Sequence, residues 1–122
     1  MNKPIEIIHC DFNNPAHCNA LTSLMNEYIT DEMGGGLPYT NEKKNLLIEG
    51  LKNHPSKIIL LSMIHGEFAG LVNSFVNFGT FSVKPFVNIH DIIVTQKWRN
   101  KGVGRKMLEK VVEEAYKIGC SK

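Results

Sequence analysis

Apolar and polar positions change period several times along this chain of 122 residues. Over residues 4–9, Ile5 and Ile7 alternate with Glu6, which predicts a strand. Leu21, Leu24, Met25, Tyr28 and Ile29 then recur at helical spacing, and Asn14 followed by Pro15 is a start signal, so a helix is expected over about 15–30. "DEMGGGLPY" breaks regular structure, and Gly34, Gly35 and Gly36 predict a mobile loop there. A second short helix is expected from about Asn41 to Lys52, stopped by Pro55. "KIILLSMI" and "FAGLVNSFVNF", separated by "HGE", read as a hairpin with Gly66 in its turn. "GTFSVKP" reads as a loop, and the β-branched run over 86–95 as a strong strand. From Gly102 the period returns to helical, with Val103, Met107, Leu108, Val111, Val112, Ala115 and Ile118 in one apolar stripe and Gly119 as the stop.

The predicted order is therefore β-α-α-β-β-β-α in a single α/β (α+β) domain over 1–122. A chain of this length can bury about two-thirds of its unfolded surface, enough for one core. No apolar run approaches the ~18 residues of a membrane span, and the N-terminus lacks a signal-peptide core. A cytoplasmic protein with no membrane role is expected. Cys10, Cys18 and Cys120 are odd in number and form no Cys-x-x-Cys pair, so neither a disulfide framework nor a metal site is expected.

Charge changes the picture in one place. "TQKWRNKGVGRKML" carries Lys97, Arg99, Lys101, Arg105 and Lys106 around Gly102 and Gly104. With a net charge of +2, these five cations leave −3 for the remainder of the chain. That is a local anion site, not the general basicity of a nucleic-acid binder. The spelling excludes two familiar loops. A Walker loop needs Ser or Thr behind its lysine, and a dinucleotide loop needs a third glycine where this chain has Met107. What remains is a strand feeding a helix N-terminus, where free N–H groups and the helix dipole favour an anion. Arg105 and Lys106 stack cations on that already positive end. The residues leave two readings open, a loop for a phosphorylated ligand or a solvated basic turn.

"RNKGVG", Arg99 to Gly104, matches the [R/Q]-x-x-G-x-[G/A] loop of the GNAT acetyltransferase superfamily. The longer run "NIHDIIVTQKWRNKGVGRKMLEKVVEEAYKIGC" resembles that family's strand–loop–helix core along its whole length, and the preceding elements fit its order. The chain looks closest to members carrying "MGGG" early and "NIHD" before the loop.

The resemblance implies a mixed, mostly antiparallel sheet flanked by helices. It also implies transfer of an acetyl group from acetyl-CoA, as co-substrate, to a primary amine of a small molecule, by direct attack in a ternary complex. By resemblance, the backbone N–H groups of Asn100, Lys101, Gly102, Val103, Gly104 and Arg105 would hold the coenzyme pyrophosphate, Lys101 and Arg105 would add charge, and Arg99 is counted among the coenzyme-binding residues. Ile92, Ile93 and Val94 would pair with the pantetheine arm like one more strand. A main-chain N–H there would stabilise the tetrahedral oxyanion. His90 sits where several family members place a catalytic glutamate, and an imidazole's ordinary pKa of about 6.5 suits a general base. Its other reading is a hydrogen-bonded structural histidine. Strand alternation would place His90 on the face of Ile92 and Val94, with Asp91 opposite. Tyr28, Asp31, Glu32 and Gly35 fall by position in the substrate region, where acidic groups would draw a cationic amine. Asn73, with Phe75 and Asn77, would face the same pocket or form ordinary sheet surface.

The family continues with a fifth strand, a further helix and a closing hairpin, and its usual general acid is a tyrosine beyond that fifth strand. These are expected beyond Lys122, so the domain is expected to be C-terminally incomplete. An open sheet edge and an uncovered helix face then predict a homodimer or higher oligomer. A non-catalytic acyl-CoA-binding module, or an inactive fragment of an acetyltransferase, is the alternative function.

Overall fold

The computed structural model describes residues 4–31 and 36–120. Four strands form one antiparallel sheet in chain order: β1 (Glu6–His9), β2 (Lys57–Ile64), β3 (Glu67–Gly79) and β4 (Lys84–Val94). Helices α1 (Pro15–Thr30) and α2 (Asn41–Asn53) cover one face, and α3 (Val103–Lys117) covers the other. Among the described residues no helix is long and apolar enough to cross a membrane.

Each helix boundary follows from local chemistry. The Asn14 side chain accepts from the Ala16 N–H, and Pro15 opens α1 without needing a donor of its own. Thr40 caps α2 through the Lys43 N–H. At the far end of α3, Gly119 takes φ +88°, Gly119 N–H donates to Tyr116 O, and Cys120 N–H donates to Ala115 O. These paired bonds are a Schellman cap, which needs the left-handed residue that Gly119 supplies. The β2–β3 hairpin turns through His65 and Gly66, both at positive φ, the geometry of a type I′ turn. β4 begins at Lys84, two residues earlier than the sequence suggests, with Pro85 tolerated because β4 is an edge strand.

The alternation of the strands divides the core in two. Leu21, Leu24, Met25, Leu51, Leu61, Leu71 and Ile93 pack beneath α1 and α2. Leu60, Val72, Trp98, Val103, Met107 and Val111 pack beneath α3. Gly70 lets Met107 of α3 pack directly on the sheet: a Cβ there would lie 2.8 Å from Ile93 O, Met107 Cε and Ser62 Oγ. The apolar stripe of α3 is wider than the face it buries. Val103, Met107, Val111 and Ala115 are buried, while Leu108, Val112 and Ile118 stay 41%, 50% and 49% exposed.

Candidate active site

β4 does not keep one alternation along its length. Asn73 pairs with Asp91 and Ser74 pairs with Ile89, so His90 is an extra residue in a β-bulge. The bulge corrects the expected placement of His90. Its ring lies edge-on to Phe75, centroids 5.0 Å apart, and Phe75 packs on the α1/α2 core. Asp91 reaches Asn73, whose neighbours on β3 belong to the same face. His90 and Asp91 therefore share that face, and Ile92 and Val94 lie on the other, because the inserted residue shifts the two-residue period by one.

Around the bulge, α1, α2 and β3 contribute a polar cluster. The buried Asn73 amide donates to Asp91 Oδ2 at 3.1 Å and to Met25 Sδ at 3.3 Å. Both partners accept only, which fixes the NH₂ edge of the amide on them. Asn73 Oδ1 is then buried without a partner. Burial, and after it the charge of Asp91, pushes the Tyr39 hydroxyl above its ordinary pKa. His54, at the end of α2, also meets Phe75, tilted at 49° with centroids 4.7 Å apart, so both imidazoles contact one ring. Tyr28 lies one turn beyond Met25 at the exposed end of α1, followed by Asp31 at its C-cap. Gly35 and Glu32 lie outside the described residues. Gly36, the last of the three glycines, donates its N–H to Ile29 O.

At its other end β4 runs into the glycine loop. Thr95 N–H donates to Ala69 O, so that residue's backbone is turned toward β3. By the two-residue period, Ile93 is turned the same way, while Ile92 and Val94 direct their backbone groups to the open edge. A 3₁₀ turn, Gln96–Trp98, follows, anchored by the buried Trp98. Asn100 and Gly102 then take φ +62° and +85°. Asparagine tolerates that region better than most residues, and glycine is the default there. Gly102 hands the chain to α3. Among the described residues none accepts a hydrogen bond from the N–H of Asn100, Lys101, Gly102, Val103, Gly104 or Arg105. For the last three this is the ordinary state of a helix's first turn. Gly104 meets no packing demand of the chain, since an added Cβ would contact only Val94 Cγ2 at 3.9 Å.

The five cations of this segment are not equivalent. Lys97 pairs with Glu67 at 3.0 Å. Arg99 lies 3.7 Å from Glu27 and donates from Nε to Val94 O at 2.9 Å. Lys101, Arg105 and Lys106 have no acidic partner within 4 Å among the described residues. Glu27 is the residue that sequence reasoning missed. It also accepts from Thr95 Oγ1 at 2.8 Å and from the Gln96 N–H at 3.2 Å. Its partners lie 68 and more positions away, so no local pattern signals them. With Ser23, Leu24, Phe68 and Thr95 it lines a groove of about 460 Å³ along α1. Burial pushes the Cys10 thiol up to about 12, and raises those of Cys18 and Cys120 as well.

The fold has known counterparts. The model of the acetyltransferase (GNAT) family matches residues 21–122. An aminoglycoside acetyltransferase from an uncultured soil metagenomic sample, solved with sisomicin, superposes with a TM-score of 0.78 at 18% identity, over 96% of this chain and 73% of its own. A ribosomal-protein-alanine N-acetyltransferase from Brucella melitensis biovar Abortus 2308 gives 0.81 at 15% identity, over 98% and 76%. A GNAT family acetyltransferase from Staphylococcus aureus gives 0.74 at 17% identity, over 99% and 83%. At these identities the superpositions establish the fold, and the family match covers most of the chain. The chain belongs to the GNAT acetyltransferase family.

Proposed function

We propose that this domain transfers an acetyl group from acetyl-CoA to a primary amine of a small molecule, by direct attack in a ternary complex. The observation that carries the reading is the row of free N–H groups from Asn100 to Arg105 at the start of α3, beside the open edge of β4. Free donors and the helix dipole form an anion cradle suited to a pyrophosphate. Lys101 and Arg105 add charge not neutralised by a neighbouring acid, and Gly104 leaves its backbone approachable. Ile92 and the Val94 N–H offer backbone groups to an extended arm lying along the edge, while Ile93 packs its side chain into the core. Arg99 is assigned to shaping the loop, because Glu27 and the Val94 carbonyl already engage its guanidinium.

The coenzyme supplies the thioester, and the chain has to orient an amine and accept a proton from it. His90 is exposed beside Phe75 and serves as the base, directly or through a water. The Tyr28–Asp31 end of α1 is assigned to the amine, and buried Asn73 to the floor of its pocket, holding Asp91. Aminoglycosides enter the substrate panel because the solved neighbour with sisomicin shares this fold.

Calorimetry with acetyl-CoA, followed by thiol release on a panel of amines, tests the reading. Micromolar binding together with turnover on at least one amine is expected. Absence of binding would overturn it. Binding with no turnover on polyamines, amino acids, aminoglycosides or peptide N-termini would leave a coenzyme-binding module instead. His90→Ala is expected to lower kcat about 100-fold or more with little change in coenzyme affinity.

A further inference from the structure

We propose that Glu27, on α1, is a positioning residue that sets the shape of the coenzyme loop by direct contact with its entrance; this rests on the function proposed above. A single carboxylate on α1 holds three successive features at the loop's entrance. Thr95 Oγ1 donates to one oxygen at 2.8 Å, and the Gln96 N–H donates to the other at 3.2 Å. The Arg99 guanidinium sits 3.7 Å from that second oxygen. Arg99 is fixed from behind by its Nε bond to Val94 O at 2.9 Å. The chain is therefore gripped where it leaves the β ladder and again where it enters the cradle.

This grip has work to do because the loop has little else to hold it. Between Trp98 and Gly102 there is no ladder, and two residues sit at positive φ. The cradle's geometry is then decided at its two ends. α3 fixes one, and buried Trp98 with the Glu27 contacts fixes the other. A cradle of N–H groups binds an anion well only when the donors already point at one place. Glu27 also moderates charge. By neutralising Arg99 it leaves Lys101, Arg105 and Lys106 as the cations open to a ligand. Removing Glu27 has two opposed effects: it frees one positive charge, which favours an anion, and it loosens the donors. Exposed ion pairs contribute little, so loosening wins and affinity falls. The same helix carries Met25 against Asn73, two residues before Glu27, so α1 touches both halves of the site.

The test uses the full chain as Glu27→Ala, Glu27→Gln and Thr95→Val. In ligand-free protein, ¹⁵N relaxation of the amides from Arg99 to Gly104 should show order parameters falling from about 0.85 to below about 0.6 in Glu27→Ala. Acetyl-CoA should bind Glu27→Ala about tenfold more weakly, with the KM for the amine changed less than about twofold. Glu27→Gln keeps an acceptor for Thr95 or Gln96, and Thr95→Val keeps the carboxylate, so each should lose about threefold. A loop as ordered in Glu27→Ala as in the parent overturns the inference. So does unchanged coenzyme affinity accompanied only by a lower Tm. If the parent itself does not bind acetyl-CoA, the proposed function fails, and the relaxation result alone decides whether Glu27 shapes the loop.

Discussion

The Asn73 side-chain amide donates to the Asp91 carboxylate across 3.1 Å, joining the centres of β3 and β4 at the bulge. Asn73→Asp replaces that donor with a second acid in a buried site. Two carboxylates at this distance cannot both ionise without cost, so one is driven to hold a proton in the folded state. Its folded pKa then lies above its unfolded value, and the deficit grows as pH rises through the carboxylate range. The variant should be less stable on the order of 2 kcal/mol at pH 7, with a smaller gap at pH 4.5, by urea denaturation at both pH values.

Glu114 gives the opposite sign. A hydrogen bond from Lys117 holds its carboxyl below the ordinary value near 4.5, with partial burial working against this and His9 adding to it. Its contribution to stability is present above the unfolded pKa and is lost as pH falls through the depressed folded value. Glu114→Gln should therefore flatten the acid side of the stability profile below about pH 4.5. Melting temperatures from pH 2.5 to 7 would show it, and parallel profiles for the two proteins would refute it.

Gly70→Ala should be costly although its backbone is ordinary. The new methyl would meet a carbonyl oxygen, a methionine methyl and a hydroxyl at 2.8 Å. Met107 Cε can swing away, but the Ile93 carbonyl belongs to the ladder. A loss of about 1–3 kcal/mol is expected, read as a fall in the urea midpoint at unchanged m-value.

The open edge of β4 and the exposed Leu108 and Val112, one turn apart on α3, predict association of the chain in solution as a dimer or larger. Light scattering should give at least twice the 13.7 kDa chain mass, and Val112→Glu should shift the distribution toward the single chain. A parent that is monomeric at high micromolar concentration would remove this expectation.

The parts of this fold that sequence reasoning reached are those determined within a few residues. Asn14 and Pro15 mark the start of α1, and Gly119 the end of α3, because capping involves donors and acceptors one turn apart. The glycine loop was legible for the same reason. Its strand, turn and helix are contiguous in the chain. Features set by two distant segments were not legible. The bulge at His90 exists only in the pairing of β4 with β3, and "NIHDII" reads as a regular strand without it. Glu27 looks like one more polar position on an amphipathic helix until Thr95 and Arg99 are brought beside it. The apolar stripe of α3 was legible, but which of its residues are covered was not, because periodicity reports chemistry and not which part of a face meets the sheet.

The bulge makes β4 two half-strands written in opposite phase. Upstream of His90, the odd-numbered residues Val87 and Ile89 share a face with Val76 and Ser74, while downstream the even-numbered Ile92 and Val94 occupy it. A single-residue deletion at position 90 would do more than remove an imidazole. It would close the bulge into a regular ladder, because Ile89 and Asp91 already pair with the adjacent Ser74 and Asn73, and both halves of β4 would keep their register and their faces. The tip of the hairpin, Phe78 to Lys84, lies well away from the bulge. It can be shortened, extended or exchanged in pairs of residues without disturbing the geometry on the loop side of the bulge.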